Sequence, residues 1–88
     1  MAEETEIGRV NDYFAHINVA GIDLTAPLKV GDRIRIKGHT TDMELDVESI
    51  EVEYESVQEA KAGDKIGVKV SDRVRGGDHV YRVVNQPE

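Results

Sequence analysis

The chain has no cysteine, no tryptophan and only two prolines in 88 residues. Without thiols there are no disulfides, thiolate zinc sites, iron–sulfur clusters or cysteine nucleophiles. No apolar run approaches the roughly 20 residues that a membrane span needs. The start, Met1-Ala2-Glu3-Glu4, is acidic with no apolar stretch behind it, so no signal peptide is expected. Apolar residues nowhere keep helical spacing for three turns. A basic surplus is missing too: the net charge of −7 argues against a protein that coats nucleic acid without specificity. With 39% hydrophobic and 33% charged residues, the chain suits one small globular domain that is soluble and cytoplasmic.

The acidity is local. From Asp42 to Asp64 there are nine acids against a single base, Lys61, while the remainder is close to neutral. What is abundant is alternation with period two, the signature of half-buried strands. Arg33-Ile34-Arg35-Ile36-Lys37, Glu44-Leu45-Asp46-Val47-Glu48 and Lys65-Ile66-Gly67-Val68-Lys69-Val70 all show it. Val10 to Phe14, Ile17 to Leu24 and His79 to Val84 are further strand candidates, the last apolar on both faces and so expected to be covered. Leu45 and Val47 are odd-numbered whereas Ile50, Val52 and Tyr54 are even-numbered. That phase change predicts one long strand with a β-bulge near Glu48-Ser49, bending at a barrel corner. Ser56 and Glu59, in capping-box spacing ahead of Gly63, predict one short helical turn.

Gly-Asp recurs three times, as Gly31-Asp32, Gly63-Asp64 and Gly77-Asp78, each ahead of a β-branched strand start. Glycine supplies positive φ in a turn and aspartate bonds the neighbouring backbone, so these residues read as turn-formers. Enzymatic motifs are not found. No Gly-rich phosphate loop precedes a helix. His16, His39 and His79 lie in separate segments without ligand spacing. Ser49, Ser56 and Ser71 have no nucleophile motif. The expectation is a protein without catalytic residues, metal, cofactor or bound nucleotide.

Three groups are candidate binding residues. Arg33, Arg35 and Lys37 point to one face of a strand. A hairpin through His39 would set Lys37 against Glu44, Arg35 against Asp46 and Arg33 against Glu48, neutralising them internally. Lys69, Arg73, Arg75 and Arg82 form a second basic group with fewer acids nearby. Tyr13 and Phe14 are adjacent, so one should be buried and the other exposed for stacking. On the acidic side, Glu51, Glu53 and Glu55 offer a surface for a basic protein partner.

Ile7-Gly8-Arg9-Val10, Leu28-Lys29-Val30-Gly31-Asp32-Arg33-Ile34-Arg35-Ile36, Val47-Glu48-Ser49-Ile50 and Ala60-Lys61-Ala62-Gly63-Asp64-Lys65-Ile66-Gly67-Val68 resemble the β-barrel domain 2 of translational GTPases. Elongation factor Tu, elongation factor G and initiation factor 2 carry this module. The chain also resembles a stand-alone translation elongation factor-like protein, and a related barrel occurs as an accessory domain in the U32 peptidase-like family. The resemblance implies an all-β fold, a small, roughly six-stranded closed β-barrel of the reductase/isomerase/elongation factor type. The resemblance runs from about Ile7 to Val83, and the barrel domain is expected over 7–84, with a disordered tail at 1–6 and a C-terminal tail at 85–88. It further implies a non-enzymatic, monomeric module docking to ribosomal RNA, tRNA or a translation protein. RNA contacts would fall to Tyr13, Lys69, Arg73 and Arg75, then Arg33, Arg35 and Lys37. The alternative is an interaction adaptor, or an accessory barrel subunit of an enzyme, using Glu51, Glu53 and Glu55.

Overall fold

The isoleucines at 34 and 36 and the cations at 33, 35 and 37 sort to opposite sides of one strand, and the same sorting repeats along the chain. In the computed structural model, which describes residues 2–85, it gives ten strands: β1 (Ala2–Phe14), β2 (Val19–Leu24), β3 (Leu28–Lys29), β4 (Arg33–Lys37), β5 (Asp42–Asp46), β6 (Ile50–Val52), β7 (Glu55–Val57), β8 (Glu59–Ala60), β9 (Lys65–Lys69) and β10 (His79–Asn85). Eight of them form one antiparallel sheet in the order β5-β4-β10-β1-β2-β9-β6-β7, and β3 pairs with β8 in a separate ribbon. The sheet curls around Ile7, Ile22, Ile34, Ile36, Ile50, Val68 and Val80, all fully buried. Leu28 and Ala60 of the β3–β8 ribbon complete this core.

The all-β expectation holds, and the finer expectations are corrected. No ladder joins β5 to β7, so strand pairing does not close the sheet into a six-stranded barrel. The long bent strand is two strands: the chain leaves β5, passes through Val47, and re-enters as β6 beside β9. Val47 anchors that passage, donating its amide to the Asp32 carbonyl (2.8 Å) and accepting from the Gly31 amide (2.9 Å). The phase change at Glu48-Ser49 thus marks a crossing between sheet edges. The bulges lie in β1, between Glu6 and Gly8 against β10 and between Val10 and Asp12 against β2. No helical turn forms at Ser56–Gly63, where β7 and β8 run instead. Residues 2–6, expected as a tail, are the first part of β1 and pair with β10. Asn85 ends β10, while Met1 and residues 86–88 lie outside the described residues. Val84 is 42% exposed, so the expected cover over the end of β10 is not there.

The β4–β5 hairpin is displaced by two from the expected register: Arg33 faces Asp46, Arg35 faces Glu44 and Lys37 faces Asp42. A shift of two leaves every side chain on its face, so the hydrophobic pattern cannot distinguish the registers. The tighter loop decides, with the Gly38 amide donating to the Thr41 carbonyl at 2.7 Å.

The three Gly-Asp turns are built alike. Gly31, Gly63 and Gly77 have φ of 98°, 94° and 95°, as the third position of a type II turn requires. In each, the aspartate carboxylate accepts the amide three residues back: Lys29 N–H to Asp32 (3.1 Å), Lys61 N–H to Asp64 (3.0 Å) and Arg75 N–H to Asp78 (2.9 Å). The aspartate amides return the bond to the carbonyls of the same three residues.

Candidate functional site

Strand β9 is flanked by β2 on one side and β6 on the other, and this pairing brings two hairpin tips together. The first tip, between β1 and β2, carries Phe14, His16 and Ile17. The second, between β6 and β7, carries Glu53 and Tyr54. An open groove of about 770 Å³ lies between them. On its floor, Gly21 of β2 stands opposite Gly67 of β9, which in turn pairs with Glu51 of β6. Neighbouring side chains close over both glycines: a Cβ on Gly21 would meet the Asn11 side chain at 2.6 Å and one on Gly67 the Val19 side chain at 3.1 Å, so side chains cover the backbone here too.

The rim is apolar and exposed. Phe14 is 41%, Ile17 52% and Tyr54 fully exposed, and all three line the groove. Glu53 and Tyr54 are the central residues of a two-residue hairpin loop, with φ of 51° and 67°. That is the type I′ geometry that suits strand twist and normally takes Asn-Gly. A glutamate and a tyrosine held there cost on the order of 1 kcal/mol each. The strain places the tyrosine ring at the tip, in water, where it contributes nothing to the core. Asn18, with φ of 54°, forms the matching left-handed position in the β1–β2 loop, and its carbonyl accepts the Val70 amide at 2.8 Å. The acids Glu51, Glu53 and Asp64 also line the groove, against one lysine, Lys65.

The basic candidates do not gather into one surface. Arg33 is bonded to Glu44 and, through Nη1, to Asp46 at 3.0 Å. Arg35 grips Asp42 with two bonds of 2.9 and 3.0 Å and reaches Glu4 at 2.9 Å. These contacts push both guanidinium pKa values up, Arg33 chiefly through Glu44 and Arg35 chiefly through Asp42. The Asp42 carboxylate is in turn held below the usual range by Arg35. Lys37 ends β4 opposite Asp42. Lys69 ends β9 opposite Val19, at the other side of the sheet. Arg73 and Arg75 lie in the β9–β10 loop, beside Thr40, Thr41 and Asp42 at a depression of about 340 Å³. Arg82 donates to the Pro27 carbonyl at 2.8 Å.

Tyr13, the ring assigned to RNA contact, is half-buried against the core, and its hydroxyl contacts Asn18 at 3.4 Å. Its neighbour Phe14 is the exposed ring, because the pleat turns alternate residues outward. Glu51 and Glu53 reach the groove, whereas Glu55 starts β7 opposite Val52. Ile17 and Tyr54 were not among the sequence candidates, and nothing in Val52-Glu53-Tyr54-Glu55 signals a tight turn. Among the described residues no group of three potential metal ligands assembles, and no helix is long and apolar enough to cross a membrane.

No protein-family model matches the chain. It is 44% identical over 77 residues to an uncharacterized protease of Methanocaldococcus jannaschii, a match covering 86% of this chain and 19% of that protein. A collagenase of Porphyromonas gingivalis is 33% identical over 88 residues, covering 98% of this chain and 24% of the relative. The chain therefore spans about a fifth to a quarter of the length of these relatives. In fold it is similar to the C-terminal domain of a Geobacillus thermoleovorans protein whose name assigns it to the U32 peptidases. That match has a TM-score of 0.82 and 16% identity, and covers 86% of this chain and 96% of the other.

These matches overturn the resemblance to domain 2 of translational GTPases, and with it the translation, ribosome and RNA-binding expectations. The physical reason is that the quoted resemblance leaned on Gly-Asp turns, whose hydrogen bonds are a local solution that any strand start can use. The expectation of a protein without enzymatic function is corrected on the same finding, since the relatives are a protease and collagenases. Of the likenesses drawn from the sequence, the accessory domain of the U32 peptidase-like family is the one whose fold this chain shares.

Proposed function

We propose that the chain is the polypeptide-holding domain of a U32-type peptidase, presenting protein substrate to the hydrolytic site of that enzyme. The observation that carries this reading is the convergence of Phe14, Ile17 and Tyr54 on one open groove. Apolar side chains kept in water on a strained loop favour a binding role over a packing role. The protease and collagenase names of the relatives supply the kind of polymer to be held. The open groove between two hairpin tips suits an extended chain better than a compact small molecule.

The test is a chimera in which this chain replaces the matching segment of the Methanocaldococcus jannaschii protease, assayed on gelatin and on a short fluorogenic peptide. Tyr54→Ala should raise KM for gelatin about tenfold and leave kcat on the short peptide unchanged. Identical gelatin kinetics for both chimeras, or for a chimera lacking the domain, would overturn the reading.

A further inference from the structure

Which polypeptide the groove selects is set by its charge, an inference that rests on the polypeptide-holding role. Three acids, Glu51, Glu53 and Asp64, face the groove together with one lysine, Lys65. Asp64 is partly committed to its own turn through the Lys61 amide. Glu51 and Glu53 are exposed, and among the described residues neither forms a salt bridge. Glu51 lies on β6 and Glu53 precedes Tyr54 in the turn. We infer that the groove binds an extended peptide segment in which an apolar side chain is followed closely by lysine or arginine.

The apolar side chain lies between the Phe14 and Tyr54 rings. The cation reaches Glu51 and Glu53, and its aliphatic stem adds contact with the tyrosine face. Charge complementarity is what decides the occupant. An acidic segment would set like charges together at short range, and a neutral one would leave both glutamates without a partner. The internal ion pairs on β4 and β5 cannot serve this purpose, because their arginines already satisfy their acids.

Fluorescence anisotropy with three labelled short peptides tests this: alternating Leu and Lys, alternating Leu and Glu, and alternating Gln and Lys. The Leu–Lys peptide should bind at least about tenfold more tightly than either of the others. Raising salt from about 0.1 to about 0.5 M should weaken it several-fold. Tyr54→Ala removes a side chain that touches little else, so it tests the ring without disturbing the fold, and it should cost about tenfold. The pair Glu51→Gln with Glu53→Gln should cost about fivefold and flatten the salt dependence, whereas Glu48→Gln, outside the groove, should cost nothing. Equal affinity for the Leu–Lys and Leu–Glu peptides, no binding of any peptide, or an equal loss in Glu48→Gln would overturn the inference. If the peptides fail while Tyr54→Ala still raises KM for gelatin in the chimera, the ligand chemistry falls and the polypeptide-holding role stands. If neither responds, both fall.

Discussion

The two outer edges of the eight-stranded sheet are both acidic, yet their acids do opposite things. On the β5 edge, Asp42, Glu44 and Asp46 are matched by Arg33 and Arg35 across the ladder, and Glu4 of β1 joins them. On the β6–β7 edge, Glu51, Glu53 and Glu55 have no ion-pair partner among the described residues. One edge is electrostatically self-contained, with charges that discourage pairing with another chain. The other leaves its charge beside exposed rings. Net charge alone, −7 for the whole chain, conceals the distinction. Where the counter-charges sit is what separates a structural acid from a binding acid.

The comparison can be broken first at the self-contained edge. Gly38, at the entry to the β4–β5 loop, has no room for a side chain, because a Cβ there would overlap the Asp78 carboxylate. Asp78 is buried and tied to the Arg75 amide, so it cannot step aside. Gly38→Ala should lower stability by about 2 kcal/mol in urea denaturation and leave the groove untouched. A loss under a few tenths of a kcal/mol would show that the Asp78 turn is softer than its bonds indicate.

A smaller change at the other edge should have the opposite sign. Replacing Glu53 and Tyr54 with Asn and Gly gives the loop the residues its backbone asks for. Stability should rise by about 1 kcal/mol while peptide binding disappears. A variant that gains stability and retains binding would remove the tyrosine from the site.

The smallest effect concerns acid. Arg35 lowers the Asp42 pKa in the folded state, so this carboxylate adds stability above its unfolded pKa, about 4. That contribution is lost as pH falls through the lower, folded value. Asp42→Asn should therefore flatten the acid limb of a stability–pH curve below about pH 4, and high salt should shrink the difference. An acid limb identical to that of the unaltered protein would place Asp42 among the inert surface charges.

Much of the fold was legible because it rests on local chemistry. The alternation at Arg33–Lys37 and Lys65–Lys69 gave strands with the correct inward faces, and Gly31, Gly63 and Gly77 marked turns that the structure contains. What escaped was set at longer range. The two-residue register shift of β4–β5 preserves every face and leaves no mark in the pattern. The crossing at Val47 looks like a bulge when only its phase is visible. The groove was harder still. Phe14 and Tyr54 lie 40 positions apart in the numbering, and meet only because β9 pairs with both β2 and β6. The Glu53-Tyr54 turn also runs against residue preference, so the local signal pointed away from it.

Strand β1 lies in the middle of the sheet, with β10 on one flank and β2 on the other. Its ladder with β10 joins Ala2 to Asn85 and Arg9 to His79, contacts between opposite ends of the described chain. During synthesis, this seam has to wait until the last strand has emerged. Until then the first half of β1 has no strand partner on either flank, and the core lacks Val80. Contacts of such separation favour slow, late closure, with the small Gly-Asp turns already in place as preformed corners. A chain shortened by its final strand would lose the partner of both β1 and β4 at once, and would be left as an open half-sheet prone to pairing with its own copies.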